Sequence, residues 1–546
     1  MIRHSSGARL AATALAATAA LSLSLSGCSA GGSGESGGSP DSGRTEAGGR
    51  DRIPGTDATS PSPSRTYPLS SAPATIPAVR THEPARGPGW RPGPGAGVVV
   101  AEGAERLDDE ARLLAGELRI AFRGAVPARA GDVELALAPA APGGAKADPE
   151  SYTLVTSGGR VRISGPAEAG VFYGTRTLKQ AVRSGGAMPE GTVRDAPDRP
   201  QRGLMVDIAR KSFSAGWIED RVREMADLKL NQLGLHFSDD QGFRIASDTH
   251  PRIVSREHLT KAQVRRILKL AASLHITVIP EIDSPGHLGA VLAQYPELKL
   301  KDTAGRVVPG AIDIGNPASG RLVDGLLKEY AELFDGAYWN LGGDEYQALT
   351  RRDPEASFPS LAALAREEYG PEGRIQDLAS AWVNDRAAVL RPDGRTLQAW
   401  NDGYFRGGRV GVDQDIQVQY WTGKEIGARP PLEYLDEGRP VINLNDEYLY
   451  YVLGEPNEFT YPTGQRIYEQ WTPLVLRGTR PVPEKYSDQI LGARFAIWCD
   501  LAQAQTPERI AEGIALPLAA TAQKVWDPRT PERGWPEFRA LAGQLD

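Results

Sequence analysis

From Gln201 to the C-terminus the chain repeats one unit, an apolar strand-like run followed by a polar loop and, in most repeats, an amphipathic helix. The runs are Gly203 to Ile208, Asn231 to Ser238, Thr277 to Asp283, Tyr338 to Glu345, Thr396 to Trp400, Ile416 to Trp421, Val441 to Asn445 and Phe495 to Asp500. Helical patterns at Ala215 to Lys229, Thr260 to Leu274, Pro317 to Phe334, Ile375 to Leu390 and Thr506 to Val525 separate several of them. Near-continuous apolar strands are buried on both faces, which places them in a parallel sheet. Eight units over about 345 residues predict an α/β fold, a (β/α)8 TIM barrel with long loops over 197–546. An open doubly wound sheet is the alternative; against it, the first run is not followed by a Gly-rich phosphate turn.

The residues before this repeat divide into three. Short β-like runs (Gly97 to Ala101, Val133 to Ala138, Tyr152 to Val155, Val161 to Ser164) and helical stretches at Ala104 to Arg119 and Ala169 to Arg183 predict a small α+β domain over 76–196. Residues 28–75 are Gly, Ser, Pro, Thr and charge with almost no large apolar side chains, a composition that cannot offset the entropy of ordering and reads as a disordered tether. Residues 1–27 read as an export signal, with Arg3 and Arg9 ahead of an apolar run from Leu10 to Leu25. The run ends in Leu25-Ser26-Gly27-Cys28, which resembles a bacterial lipobox and implies cleavage before Cys28 and acylation of that cysteine. Cys499 is then the only remaining thiol, so an exported protein must be held together by packing alone.

In a parallel barrel the chemistry gathers at the C-terminal strand ends. The first run leads into Asp207 and Arg210, the second into His236, Asp239, Asp240 and Arg244, the third into Glu281, Asp283 and His287, and the fourth into Asp344 and Glu345. Trp400, Trp421 and Trp498 end the fifth, sixth and eighth, with Asp500 close behind the last; Asp446 and Tyr448 follow the seventh. Acids, an arginine and three indoles at one mouth suit a carbohydrate: carboxylates for proton transfer, charged groups for hydroxyls, aromatic faces for sugar C–H surfaces. Gly342 and Gly343 let the backbone leave the sheet so that the adjacent Asp344 and Glu345 can share a pocket, and neighbouring carboxylates resist ionising together, so one can keep a proton. The seven histidines form no HExxH or closely spaced pair, which argues against a catalytic metal; Asp283 and His287 read instead as a hydrogen-bonded pair that tunes a neighbouring acid. A formal charge of −7 and the lack of a basic cluster argue against nucleic acid as a partner.

Four ordered blocks resemble the family 20 glycoside hydrolases, the β-N-acetylhexosaminidases: Arg202 to Arg210, Lys229 to Asn231 with His236 to Arg244, Pro280 to His287, and Gly342 to Glu345. The small domain resembles the family's N-terminal domain through Gly170 to Gly174 and Leu178. The resemblance implies exo-acting, substrate-assisted retaining hydrolysis of terminal β-linked GlcNAc or GalNAc, with no cofactor. By the same resemblance Glu345 is the general acid and base, and Asp344 orients the substrate's acetamido group. Arg210, buttressed by Asp240, and Asp500 bind hydroxyls, while Trp400, Trp421 and Trp498 enclose the sugar. Tyr448 bonds the acetamido oxygen, and Asp283 and His287 support Glu345. Three positions depart from the family pattern: Asn340 where His is usual, Tyr450 where Asp or Asn is common, and Asp500 in place of Glu. Two other readings compete, a lacto-N-biosidase-like enzyme that releases a disaccharide and a non-catalytic sugar-binding lipoprotein. The expected partner is an oligosaccharide or glycan, and the membrane enters only through the lipid on Cys28.

Overall fold

The runs become eight parallel strands whose hydrogen bonding closes on itself: β1 (Gln201–Asp207), β2 (Gln232–Ser238), β3 (Thr277–Ile282), β4 (Tyr338–Asn340), β5 (Thr396–Trp400), β6 (Gln417–Tyr420), β7 (Val441–Asn443) and β8 (Ile490–Trp498). Each pairs with its sequence neighbour, and β8 pairs with both β7 and β1, which makes the barrel and excludes the open sheet. This computed structural model describes residues 66–138, 148–425 and 428–545. The expected signal segment, Cys28 and most of the expected tether lie outside them. Residues 66–75, expected in the tether, are part of the folded unit: Leu69 bridges to Arg86, Thr75 is buried, and both the N–H and the carbonyl of Ile76 are bonded to the Gln180 amide.

Helices form where the sequence supplies both an apolar stripe and an end signal. Thr260 and Gln263 make a reciprocal capping box for the helix Lys261–Ser273, and Thr506 caps Pro507–Trp526, which starts on proline where no N–H is missed. Inside the barrel, below the mouth, the core is polar. The buried Arg494 guanidinium donates to the Gln232 and Gln398 amide oxygens at 2.8 Å each; burial lowers it to about 10.

The small domain is a seven-stranded mixed sheet in the order Thr81–Pro84, Gly191–Asp195, Tyr152–Ser157, Arg160–Gly165, Val133–Leu137, Gly97–Val100, Ala121–Gly124. The sequence did not announce Thr81–Pro84 or Ala121–Gly124, because these are the two edges and bury no residue fully. The domain meets the barrel through a buried charge cluster. Lys229 Nζ lies 3.1 Å from Asp195 Oδ2 with both side chains fully buried, and the Tyr152 hydroxyl and Trp526 Nε1 also donate to Asp195. Removing one partner strands the other charge in the core. Lys229→Met is therefore expected to cost about 3–5 kcal/mol in urea unfolding, and a loss under about 1 kcal/mol would show that this cluster is not a structural anchor.

Candidate active site

The fourth strand ends at Asn340, earlier than the run to Glu345 that the sequence suggested. Gly342 and Gly343 take φ of 72° and 98°, and a Cβ on Gly342 would stand 1.8 Å from Asp283 Oδ1, so only glycine fits. Asn340 Oδ1 accepts the Gly342 N–H at 3.1 Å, closing the turn at one of the positions that departs from the family pattern. The turn delivers Asp344 and Glu345 to the barrel mouth from a loop. Glu345 itself is held at φ 44°, a left-handed conformation uncommon for a side-chain-bearing residue. Two buried carboxylates grip the main chain on either side: Asp283 Oδ1 accepts the Gly343 N–H at 2.8 Å, and Asp402 Oδ2 accepts the Glu345 N–H at 2.9 Å.

A cavity of about 290 Å³ opens beside the pair. Trp421, Trp498 and Tyr450 line its aromatic side, Arg210 and Asp500 its polar side, and Asp283, His287, Asp344 and Glu345 its acidic end. Trp421 and Tyr450 stack with ring centroids 5.7 Å apart and planes 3° from parallel. Tyr450 gets there because Tyr450–Val452 adds as a parallel strand to the end of β8, an element the sequence did not announce.

Charge in this site is arranged as a chain. His287 Nε2 lies 3.4 Å from Glu345 Oε2 and 3.9 Å from Asp344 Oδ2, and its Nδ1 lies 3.5 Å from Asp239 Oδ1. Asp239 Oδ2 in turn meets His236 Nε2 at 2.7 Å and Arg210 Nη2 at 2.8 Å. Burial disfavours charge on His287, but Asp239 and Asp344 hold it well above the ordinary imidazole value, so it is an imidazolium at neutral pH. Burial also opposes charge on Glu345, yet the hydrogen bond and charge of His287 keep it below the usual carboxylate range. Burial, reinforced by the charge of Asp344, pushes Asp283 well up. Asp344 is shifted upward as well, first by burial. The same two causes push Asp402 up to about 8.

The structure brings most of the expected residues together and places several of them differently from the expectation. Arg210 is braced by Asp207 at 3.0 Å and Asp239 at 2.8 Å. Asp240, expected in that role, does not line the cavity and accepts the Gly289 N–H at 2.8 Å. Tyr448 does not line the cavity: its ring lies under the Arg466 guanidinium at 4.1 Å, and Tyr450 takes the cavity-facing place. Trp400 is fully buried and does not line the cavity; its Nε1 donates to Glu281 at 2.8 Å and its ring packs against Trp498. His287 pairs with Asp239, while Asp283 serves Asp344 and the Gly343 peptide, so the expected Asp283–His287 pair is not formed as such. Asp402 was missed. Its only sequence signal is its place two residues past the strand-ending Trp400.

The family model described as glycosyl hydrolase family 20, catalytic domain, matches residues 200–529, and that family's domain 2 matches residues 72–196. A lacto-N-biosidase of Bifidobacterium bifidum is 29% identical over 87% of this chain and 42% of its own length. A beta-hexosaminidase of Porphyromonas gingivalis is 27% identical over 69% of this chain and 51% of its own. The chain thus spans about half the length of these curated relatives. Among solved structures, a Flavobacterium johnsoniae chitobiase superposes with a TM-score of 0.69 at 21% identity, covering 87% of this chain and 72% of that one. A mutant Streptomyces plicatus beta-hexosaminidase in complex with GlcNAc gives 0.67 at 24%, covering 88% and 95%. At such identities the structures speak for the fold, whereas the catalytic-domain match spans more than half of the sequence and includes every block around the cavity: the chain belongs to glycosyl hydrolase family 20.

Proposed function

We propose that this protein removes a terminal β-linked N-acetylhexosamine from an oligosaccharide by substrate-assisted retaining hydrolysis. The observation that carries the reading is the pairing of a buried Asp344 with a more accessible Glu345 at one end of a cavity walled by Trp421, Trp498 and Tyr450. The aromatic side receives the sugar's C–H face, and Arg210 with Asp500 binds its hydroxyls. Asp344 accepts the acetamido N–H and faces the positive charge that develops on that group. The acetamido oxygen attacks the anomeric carbon while the leaving oxygen takes a proton from Glu345, giving an oxazolinium. Glu345 then takes a proton from water as that water attacks the same carbon, which restores the acetamide and retains configuration.

Before a sugar binds, the needed proton resides on His287, whose imidazole is held well above its ordinary value. A sugar that excludes water weakens the hydration favouring the imidazolium–carboxylate pair, and the proton crosses the 3.4 Å contact to Glu345. The test is release of chromophore from aryl β-GlcNAc and β-GalNAc; silence on both rejects the reading. Asp239→Asn removes the group that braces both Arg210 and His287, so kcat/KM should fall by about tenfold or more. Asp240→Asn keeps an acceptor for Gly289 and should stay within about twofold. Equal losses in the two variants would reinstate Asp240.

A disaccharide-releasing activity is favoured by one observation, the lacto-N-biosidase similarity over 87% of this chain. Aryl β-lacto-N-bioside separates the two, since only that activity frees an intact disaccharide. We also infer that the protein is exported and anchored by a lipid on Cys28; metabolic labelling with a fatty acid, lost in Cys28→Ala, tests this.

A further inference from the structure

Asp402 lies behind the cavity wall, on the short turn Asn401–Gly403 that follows β5, and is buried. Its two oxygens face two different parts of the site. Oδ2 accepts the peptide N–H of Glu345 at 2.9 Å, and Oδ1 accepts Trp421 Nε1 at 2.9 Å. The preceding Asn401 binds the same wall through the main chain: its Oδ1 accepts the Trp421 N–H at 2.9 Å and its Nδ2 donates to the Thr422 carbonyl at 2.9 Å. Gly403 packs so closely on the loop after β4 that a Cβ there would stand 2.6 Å from the Gly343 carbonyl oxygen. The loop after β5 thus ties the acid-bearing loop to the aromatic wall.

Geometry makes this tie consequential. Glu345 sits at φ 44°, a conformation that persists only where its surroundings impose it, and the single side-chain bond to its peptide N–H is the one from Asp402. We propose that Asp402 is a positioning residue that fixes the distance and direction between the Glu345 carboxyl and the Trp421 wall, and so controls proton delivery to the leaving group more than sugar binding. This rests on the hydrolytic reading above.

The experiment compares Asp402→Asn and Asp402→Leu with the wild type on two β-GlcNAc substrates, one with a dinitrophenyl leaving group that departs without a proton and one with a poor, alkyl-type leaving group that needs one. Asn supplies one acceptor but turns an NH2 toward the second donor; Leu supplies none. The loss of kcat/KM on the poor leaving group should exceed that on dinitrophenol by about tenfold to a hundredfold, the scale of a misplaced reacting group. Because both substrates are read on the same sample, the ratio is unaffected by any fraction that fails to fold. Equal losses on the two substrates, or none, overturn the proposal. If the wild type cleaves neither substrate, the hydrolytic reading has failed instead. The tie is then read by hydrogen exchange at the Glu345 amide: protection lost in Asp402→Leu retains the tie, and protection unchanged removes it.

Discussion

Glu345→Gln is expected to lower kcat/KM on an alkyl β-N-acetylhexosaminide by about 10²–10⁴-fold, the range for loss of a general acid and base. The glutamine fills the same space and still reaches His287, so fold and sugar binding should change little; it cannot release a proton to the leaving oxygen or take one from water. With a dinitrophenyl leaving group the first step needs no acid, so that step should recover most of its rate. Water attack then becomes limiting and a burst of dinitrophenol should precede slow turnover. A variant within about tenfold of the wild type on the alkyl substrate would assign proton transfer to another group, with Asp344 the next candidate.

Asp344→Asn should be nearly as damaging, by about 10²–10³-fold in kcat, for a different reason. Asp344 is buried beside Asp283, Glu345 and His287 and lines the acidic end of the cavity. Asparagine keeps the shape but removes the charge that meets the developing oxazolinium. Its NH2 can also oppose the acetamido N–H. The loss should be similar for good and poor leaving groups, because the missing interaction is with the acetamido side of the transition state. That signature separates Asp344 from Glu345 and Asp402 within one set of assays. A strong leaving-group dependence in Asp344→Asn would exchange the roles of the two acids.

The same residues show how far the sequence could be read. The alternation of apolar runs with amphipathic helices is local information, and it located all eight barrel strands, though with shifted ends at Asn340 and Ile490. The Gly342-Gly343-Asp344-Glu345 stretch was legible for the same reason: a glycine pair before two acids states a bend and a charge pair without help from distant residues. Arg210, Trp421, Trp498, Asp500 and His287 followed from their places at strand ends.

The tertiary structure decided which of two near neighbours faces the cavity. Asp239 rather than Asp240 braces Arg210, and Tyr450 rather than Tyr448 stands at the wall. One or two residues past a strand end, side-chain direction depends on a loop path set by remote pairing, here of Tyr450 with Ala496. Protonation was decided in the same way. Local sequence says only that carboxylates are close together; burial, together with His287 reaching Glu345 and Asp239 from the third strand's loop, determines which group holds the proton. Composition and spacing therefore determined the barrel and its acid pair, whereas contacts between separate loops determined the working geometry, because those contacts join residues that no local pattern relates.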